Sequence, residues 1–183
     1  MLRTLWIGLA FYPLLAVTAT TRTSDDLELL GSTINLHGRI IDQPCVVAPD
    51  SLDQEVDMGV VDVKELYANG AGVQVPFVIR LTNCKVGIFS AANVTFSGRA
   101  DPQLAGALAF TAGSARGAGI RLFDASQAQL DLGSPSRGYA LGGGTEHDLL
   151  FYARVEGHPD ALNNKKVQPG DYSAVANFIV SYE

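Results

Sequence analysis

Apolar and polar positions along most of this chain alternate with a period of two, which places successive side chains on opposite faces of an extended backbone. The clearest case is GDYSAVANFIVSYE (170–183). There Tyr172, Ala174, Ala176, Phe178, Val180 and Tyr182 share one face, and Ser173, Val175, Asn177, Ile179 and Ser181 share the other. One half-buried strand from Tyr172 to Tyr182 is therefore predicted. Near the other end, INLHGRII (34–41) alternates Ile34, Leu36, Gly38 and Ile40 against Asn35, His37, Arg39 and Ile41. A glycine on the apolar row of a strand marks close approach by another backbone.

Between these ends the apolar runs are short and separated by turn residues. VQVPFVIRL puts Val73, Val75, Phe77, Ile79 and Leu81 on one face, and its Pro76 requires a sheet edge or a bulge. ANVTFSG (92–98), AGIRLFD (118–124) and DLLFYARVEG (148–157) are further strand candidates. Asn69-Gly70, Gly142-Gly143-Gly144 and Pro169-Gly170 punctuate them. Only Val63 to Ala68 suggests a short helical turn. One all-β domain with the spacing of a sandwich follows.

Residues 1–19 stand apart. Arg3 precedes an apolar run from Leu5 to Val17 that is short for a membrane span, and Val17-Thr18-Ala19 offers small residues for cleavage. This reads as a secretory signal peptide, the alternative being an uncleaved anchor. Thr20 to Ser32 is a polar, acidic leader. The net charge of −6 excludes no function class alone, but without a basic run it disfavours nucleic acid and anionic membranes. In an exported chain, the two cysteines, Cys45 and Cys84, are most simply one disulfide.

Catalytic chemistry finds little support. GSPSRG (133–138) is not a nucleophile elbow, and the glycine-dense GSARGAGIRL (113–122) fits no phosphate-binding fingerprint. His37, His147 and His158 are scattered without metal-ligand spacing, and Asp124, Asp131 and Asp171 sit beside turn residues. Asn93-Val94-Thr95 matches a glycosylation sequon, although two polar residues on one strand face explain it more simply. No enzyme activity, metal, cofactor, nucleic acid or small-molecule substrate is expected.

INLHGRIIDQPCVV (34–47), FVIRLTNCKV (77–86), NVTFSG (93–98), AGIRLFD (118–124) and PGDYSAVANFIVSYE (169–183) together resemble the signature segments of chaperone–usher pilus subunits, most closely the minor subunits of P-pilus-type fimbriae. The resemblance implies an immunoglobulin-like sandwich lacking its final strand, with 45–183 as the pilin domain and 20–44 as an N-terminal extension. It implies that Ile34, Leu36, Gly38 and Ile40 form a donor strand for a neighbouring subunit. It also implies that Gly170, Tyr172, Phe178, Val180, Tyr182 and the carboxylate of Glu183 form the groove and chaperone-recognition region. The implied partners are a periplasmic chaperone, an outer-membrane usher and neighbouring subunits of an adhesive cell-surface fimbrium. Residues 20–44 are more than such an extension needs, and VDMGVVDVKELY (56–67) is similar to segments of pilus terminators. Rod, tip-adaptor and terminator positions all stay open, and a receptor-binding adhesin is a further alternative.

Overall fold

The computed structural model describes residues 34–38, 44–85, 87 and 89–183. Residues 1–40 and 41–183 form separate units. In the first, Ile34 to Gly38 belong to no helix or strand, and Ile34 and Leu36 are 80% and 89% exposed. A strand-like pattern with no ladder to join gives no strand, because an extended segment is stabilised only by its neighbours. The signal-peptide and leader assignments, and Ile40, lie outside the described residues.

The elements of the second unit are, in chain order, β1 (Val46–Val47), α1 (Pro49–Leu52), α2 (Val63–Asn69), β2 (Val75–Thr82), β3 (Ala91–Gly98), β4 (Leu108–Ala109), β5 (Ala112–Gly113), β6 (Ala118–Asp124), β7 (Gln129–Leu130), β8 (Tyr139–Ala140), β9 (His147–Gly157), α3 (Pro159–Asn163), β10 (Tyr172–Ser173) and β11 (Ala176–Tyr182). The larger sheet runs β1-β2-β9-β6-β4, with β7 also on β6. The second runs β11-β3-β8, and β10 pairs with β5 in a small third sheet. Every ladder is antiparallel.

Local chemistry explains the element boundaries. The carboxylate of Asp62 accepts from Lys64 N at 2.8 Å and starts α2, while Gly70, at φ 76°, donates to Leu66 O and ends it. Pro76 is accommodated as expected. It faces Tyr152 of β9, while β1 covers β2 only at Leu81 and Thr82, so the proline lies where β2 is an edge. Val73 falls outside the strand and is 71% exposed, which shortens the predicted face to Val75, Phe77, Ile79 and Leu81.

The core forms between the two main sheets around Phe151, which is fully buried on β9. Its ring lies 5.0 Å from Phe96 of β3, 5.7 Å from Phe77 of β2 and 5.2 Å from Tyr139 of β8. The Tyr139 hydroxyl donates to Leu150 O at 2.7 Å, which ties β8 to β9 across the sandwich. Among the described residues, no helix is long and apolar enough to cross a membrane.

The Cys45–Cys84 disulfide forms, with 4.0 Å between the Cα atoms and a separation of 39 residues. It joins the start of β1 to the end of β2, where the β1–β2 ladder has only two residue pairs. Restricting an unfolded loop of this length is worth about 3–4 kcal/mol in the chain-entropy model. Replacing both cysteines by alanine should therefore lower the denaturant unfolding free energy by about that amount, and a loss below about 1 kcal/mol would show that the bridge adds little.

Candidate functional site: an open slot along the last strand

The C-terminal stretch is not one strand. Tyr172 and Ser173 pair with Gly113 and Ala112, whereas Ala176–Tyr182 pair with Gly98–Ala92 of β3. The predicted continuous strand is thus corrected to two, which change sheets at Ala174-Val175. The break has a packing cause. Ala115 N donates to Asp171 O at 3.0 Å, and a Cβ at Gly170 would strike Ser114 and come within 2.8 Å of Ala115 N. A side chain at Gly113 would likewise run into the backbone of Asp171. Two backbones cross here at a distance only glycine permits.

Along β11 the inner row is Phe178, Val180 and Tyr182, paired with Phe96, Val94 and Ala92 of β3. The β3 residues are 3%, 0% and 0% exposed, yet none of their three β11 partners is buried. Adjacent positions on one sheet face differ this sharply only where cover stops. β3 itself is flanked on its far side by residues 133–140, through Gly133 N to Phe96 O, Ser136 N to Val94 O and the β8 ladder. The second edge of β11 has no strand partner among the described residues.

A second unpaired edge faces it. Between α1 and α2, Val56 and Met58 are half-buried while Glu55 and Asp57 are exposed, a short alternation with the period of a strand. Among the described residues they join no strand ladder. This segment and the C-terminal stretch run in opposite directions. The Tyr182 hydroxyl donates to Cys45 O at 3.3 Å at one end, and Asp57 is close enough to act on Tyr172 at the other. Val47, Met58, Phe178, Val180 and Tyr182 all pack on the core while remaining partly exposed. The result is an apolar slot walled by β11 on one side and by the chain from Val47 to Val61 on the other.

The expected groove residues divide accordingly. Phe178, Val180 and Tyr182 line the slot together. Tyr172 lies beyond it in β10, with its ring stacked 4.7 Å from Phe110 and its hydroxyl buried without a partner among the described residues. Gly170 forms the crossing behind it. Glu183 closes the other end: its main-chain oxygen accepts from Ser90 N at 2.7 Å and Ala91 N at 3.2 Å, and its side chain accepts from Asn93 Nδ2 at 2.5 Å. Asn93 is correspondingly buried, so the sequon is a structural strand position. Of the donor residues, Ile34, Leu36 and Gly38 are exposed.

Sequence inspection missed Val47, Val56 and Met58. The signal was the short alternation in EVDM, obscured by Gly59, whose φ of 64° ends it, and by a fully exposed Val60. Asp124 serves local turn hydrogen bonds as expected. Burial alone would raise the Asp124 carboxyl, but hydrogen bonds from the Ser126 side chain and the Ala128 and Ser126 amides hold it below its ordinary value. His158 is buried at 2.9 Å from Asp101.

Fold and slot together define an immunoglobulin-like sandwich one strand short. Residues 34–183 match the family described as fimbrial protein, and the chain belongs to that family. The major MR/P fimbria protein of Proteus mirabilis is 33% identical over 152 residues, 82% of this chain and 83% of that one. The fimbrial adapter PapK of Escherichia coli is 32% identical over 160 residues, 85% of this chain and 90% of that one. The crystal structure of the P pilus rod subunit PapA is similar at a TM-score of 0.65 and 25% identity, covering 77% of this chain and 100% of that one. A chaperone–usher pilus structure gives the same score and identity over 84% of this chain and 96% of its own. This chain is a structural pilus subunit of the chaperone–usher type, which polymerises with other subunits.

The slot and its neighbours generate two expectations for stability. Burial pushes the hydroxyls of Tyr139, Tyr172 and Tyr182 up from their ordinary value, with Asp57 adding to the effect at Tyr172. An acid whose folded pKa is raised contributes fully below its unfolded value of about 10, and that contribution is lost as pH rises through the folded value. The urea midpoint should therefore fall above about pH 10, and less steeply in Tyr182→Phe; a midpoint level to about pH 11.5 would contradict this. Gly170→Ala should cost about 1–3 kcal/mol by forcing the 113–115 and 170–172 backbones apart, and a variant with wild-type stability would refute that crossing.

Proposed function

We propose that the slot is completed by a β-strand from another molecule, and that Ile34, Leu36, Gly38 and Ile40 are the inward residues of the strand this chain gives in turn. The observation that carries this is the half-exposed row Phe178, Val180 and Tyr182 beside the buried row of β3. An apolar row beside unpaired main-chain groups invites association with another strand. Chaperone–pilin donor-strand complementation is itself an established case of such strand addition, with main-chain hydrogen bonds giving affinity and alternate side chains setting register. Each buried aliphatic side chain is worth roughly 1.5–3 kcal/mol, so three inward aliphatic residues yield several kcal/mol before ordering costs.

In this reading a periplasmic chaperone fills the slot first. It recognises the pattern from Gly170 to Tyr182, and its basic side chains meet the carboxylate of Glu183. An outer-membrane usher then directs exchange of the chaperone strand for the extension of the next subunit. The domain boundaries are residues 1–19 as export signal, 20–44 as extension and 45–183 as pilin domain, and the route leads through the periplasm to the cell-surface fimbrium. The role is structural and not enzymatic.

Two variants test the assignment. Tyr182→Ala with deletion of Glu183 should abolish chaperone copurification and leave degraded periplasmic protein; unchanged yield would argue strongly against a chaperone-held slot. Gly38→Leu should preserve chaperone binding but block entry into the preceding subunit, because the bulkier side chain must fit where the apolar row carries none. Fibres of normal length from Gly38→Leu would remove this donor register.

A further inference from the structure

The slot has a charged outer rim, and the chain's own extension carries the opposite sign on the matching face. Along one wall Met58 packs on the core and Val56 is half-buried, while Asp53, Glu55 and Asp57 are exposed at its rim. On the other wall the outward row of β11 is Asn177, Ile179 and Ser181, which carries no charge. The rim rows of the two walls thus hold three carboxylates and no cation. In residues 34–41 the row opposite Ile34, Leu36, Gly38 and Ile40 is Asn35, His37, Arg39 and Ile41, with a cation and no acid. The lengths also agree: the alternation from Ile34 to Ile40 spans as many positions as the seven residues of β11.

Resting on the strand-addition reading above, we propose that the strand completing this slot is residues 34–41 of a second copy of the same chain, selected by attraction between its Arg39 and the rim carboxylates Asp53, Glu55 and Asp57. Outward side chains on adjacent strands lie about 4.5–5.5 Å apart when opposite and about 7–8 Å on the diagonal. A long arginine side chain reaches carboxylates at either spacing. The same rim repels a donor with an acid on its outward row, so it discriminates by attraction and repulsion together. The buried row holds the strand, and the rim chooses which strand enters. Such a subunit follows itself in a fibre, as a rod subunit does and a single-copy adaptor does not.

The test is a charge swap in the full chain. Arg39→Glu is one variant; Asp53→Lys with Glu55→Lys and Asp57→Lys is the other. All the altered rim positions are exposed, which leaves the core intact. Oligomers are followed over time by native mass spectrometry at salt of about 0.01 M and about 1 M, where the Debye length is about 30 Å and about 3 Å. At low salt each variant alone should assemble about ten-fold more slowly than the wild type, since charge at an association surface acts chiefly on the on-rate. A mixture of the two should form mixed oligomers at a rate near that of the wild type, because the acidic donor strand of the first variant then meets the lysine rim of the second. At high salt the differences should shrink to about two-fold.

Assembly of Arg39→Glu at the wild-type rate in low salt would overturn the charge selection while leaving strand addition intact. A wild-type chain that stays monomeric, yet captures synthetic strand peptides of other sequence, would overturn the second-copy assignment and make another subunit the donor. A chain that neither assembles nor captures a peptide of residues 31–43, whatever its charge, would remove strand addition and this proposal with it.

Discussion

A strand edge carries a row of main-chain donors and acceptors, and these must be paired or left in water. β11 satisfies this constraint on one side only. Its inner side chains are drawn to the core by Phe96, Val94 and Ala92, while its outer edge pairs with no strand among the described residues. Across the slot, Glu55 to Met58 alternate as a strand does but join no ladder among the described residues. The short β1, the disulfide and the Tyr182 contact with Cys45 tie the two walls together at one end.

The slot is not an appendage to a finished core. The Phe178 ring lies 6.4 Å from Phe96, which lies 5.0 Å from the buried Phe151 and 6.0 Å from Phe77. Aromatic contacts of this kind contribute about 0.5–1.5 kcal/mol each beyond the area they bury. The side chains that line the slot therefore also belong to the packing that holds the fold together.

The strands β3, β6 and β9 were legible in the sequence because each is long, alternating and paired on both sides, so local pattern and tertiary demand coincide. The helix α2 was legible from a few residues because Asp62 and Gly70 cap it chemically. The change of sheet at Ala174-Val175 was not. The alternation runs through it unbroken, and the cause lies in a crossing with residues 113–115, far away in sequence. The wall formed by Val47, Val56 and Met58 was hidden for a simpler reason, since its pattern is only a few residues long and joins no ladder among the described residues. Ile34 to Gly38 show the reverse: a pattern that is plain in sequence but forms no strand within this chain.

The crossing at Gly113 and Gly170 bears on how such a joint responds to pulling. β11 is pinned upstream by that crossing and downstream by Glu183 against Ser90 and Ala91, so it resists being peeled from either end. A strand added lengthwise against it, as proposed above, would meet tension along its own axis, while ladder hydrogen bonds run across that axis. The bonds then share the load together instead of opening one after another like a zipper. Mechanical toughness is in this way a property of orientation, obtained without any single strong contact.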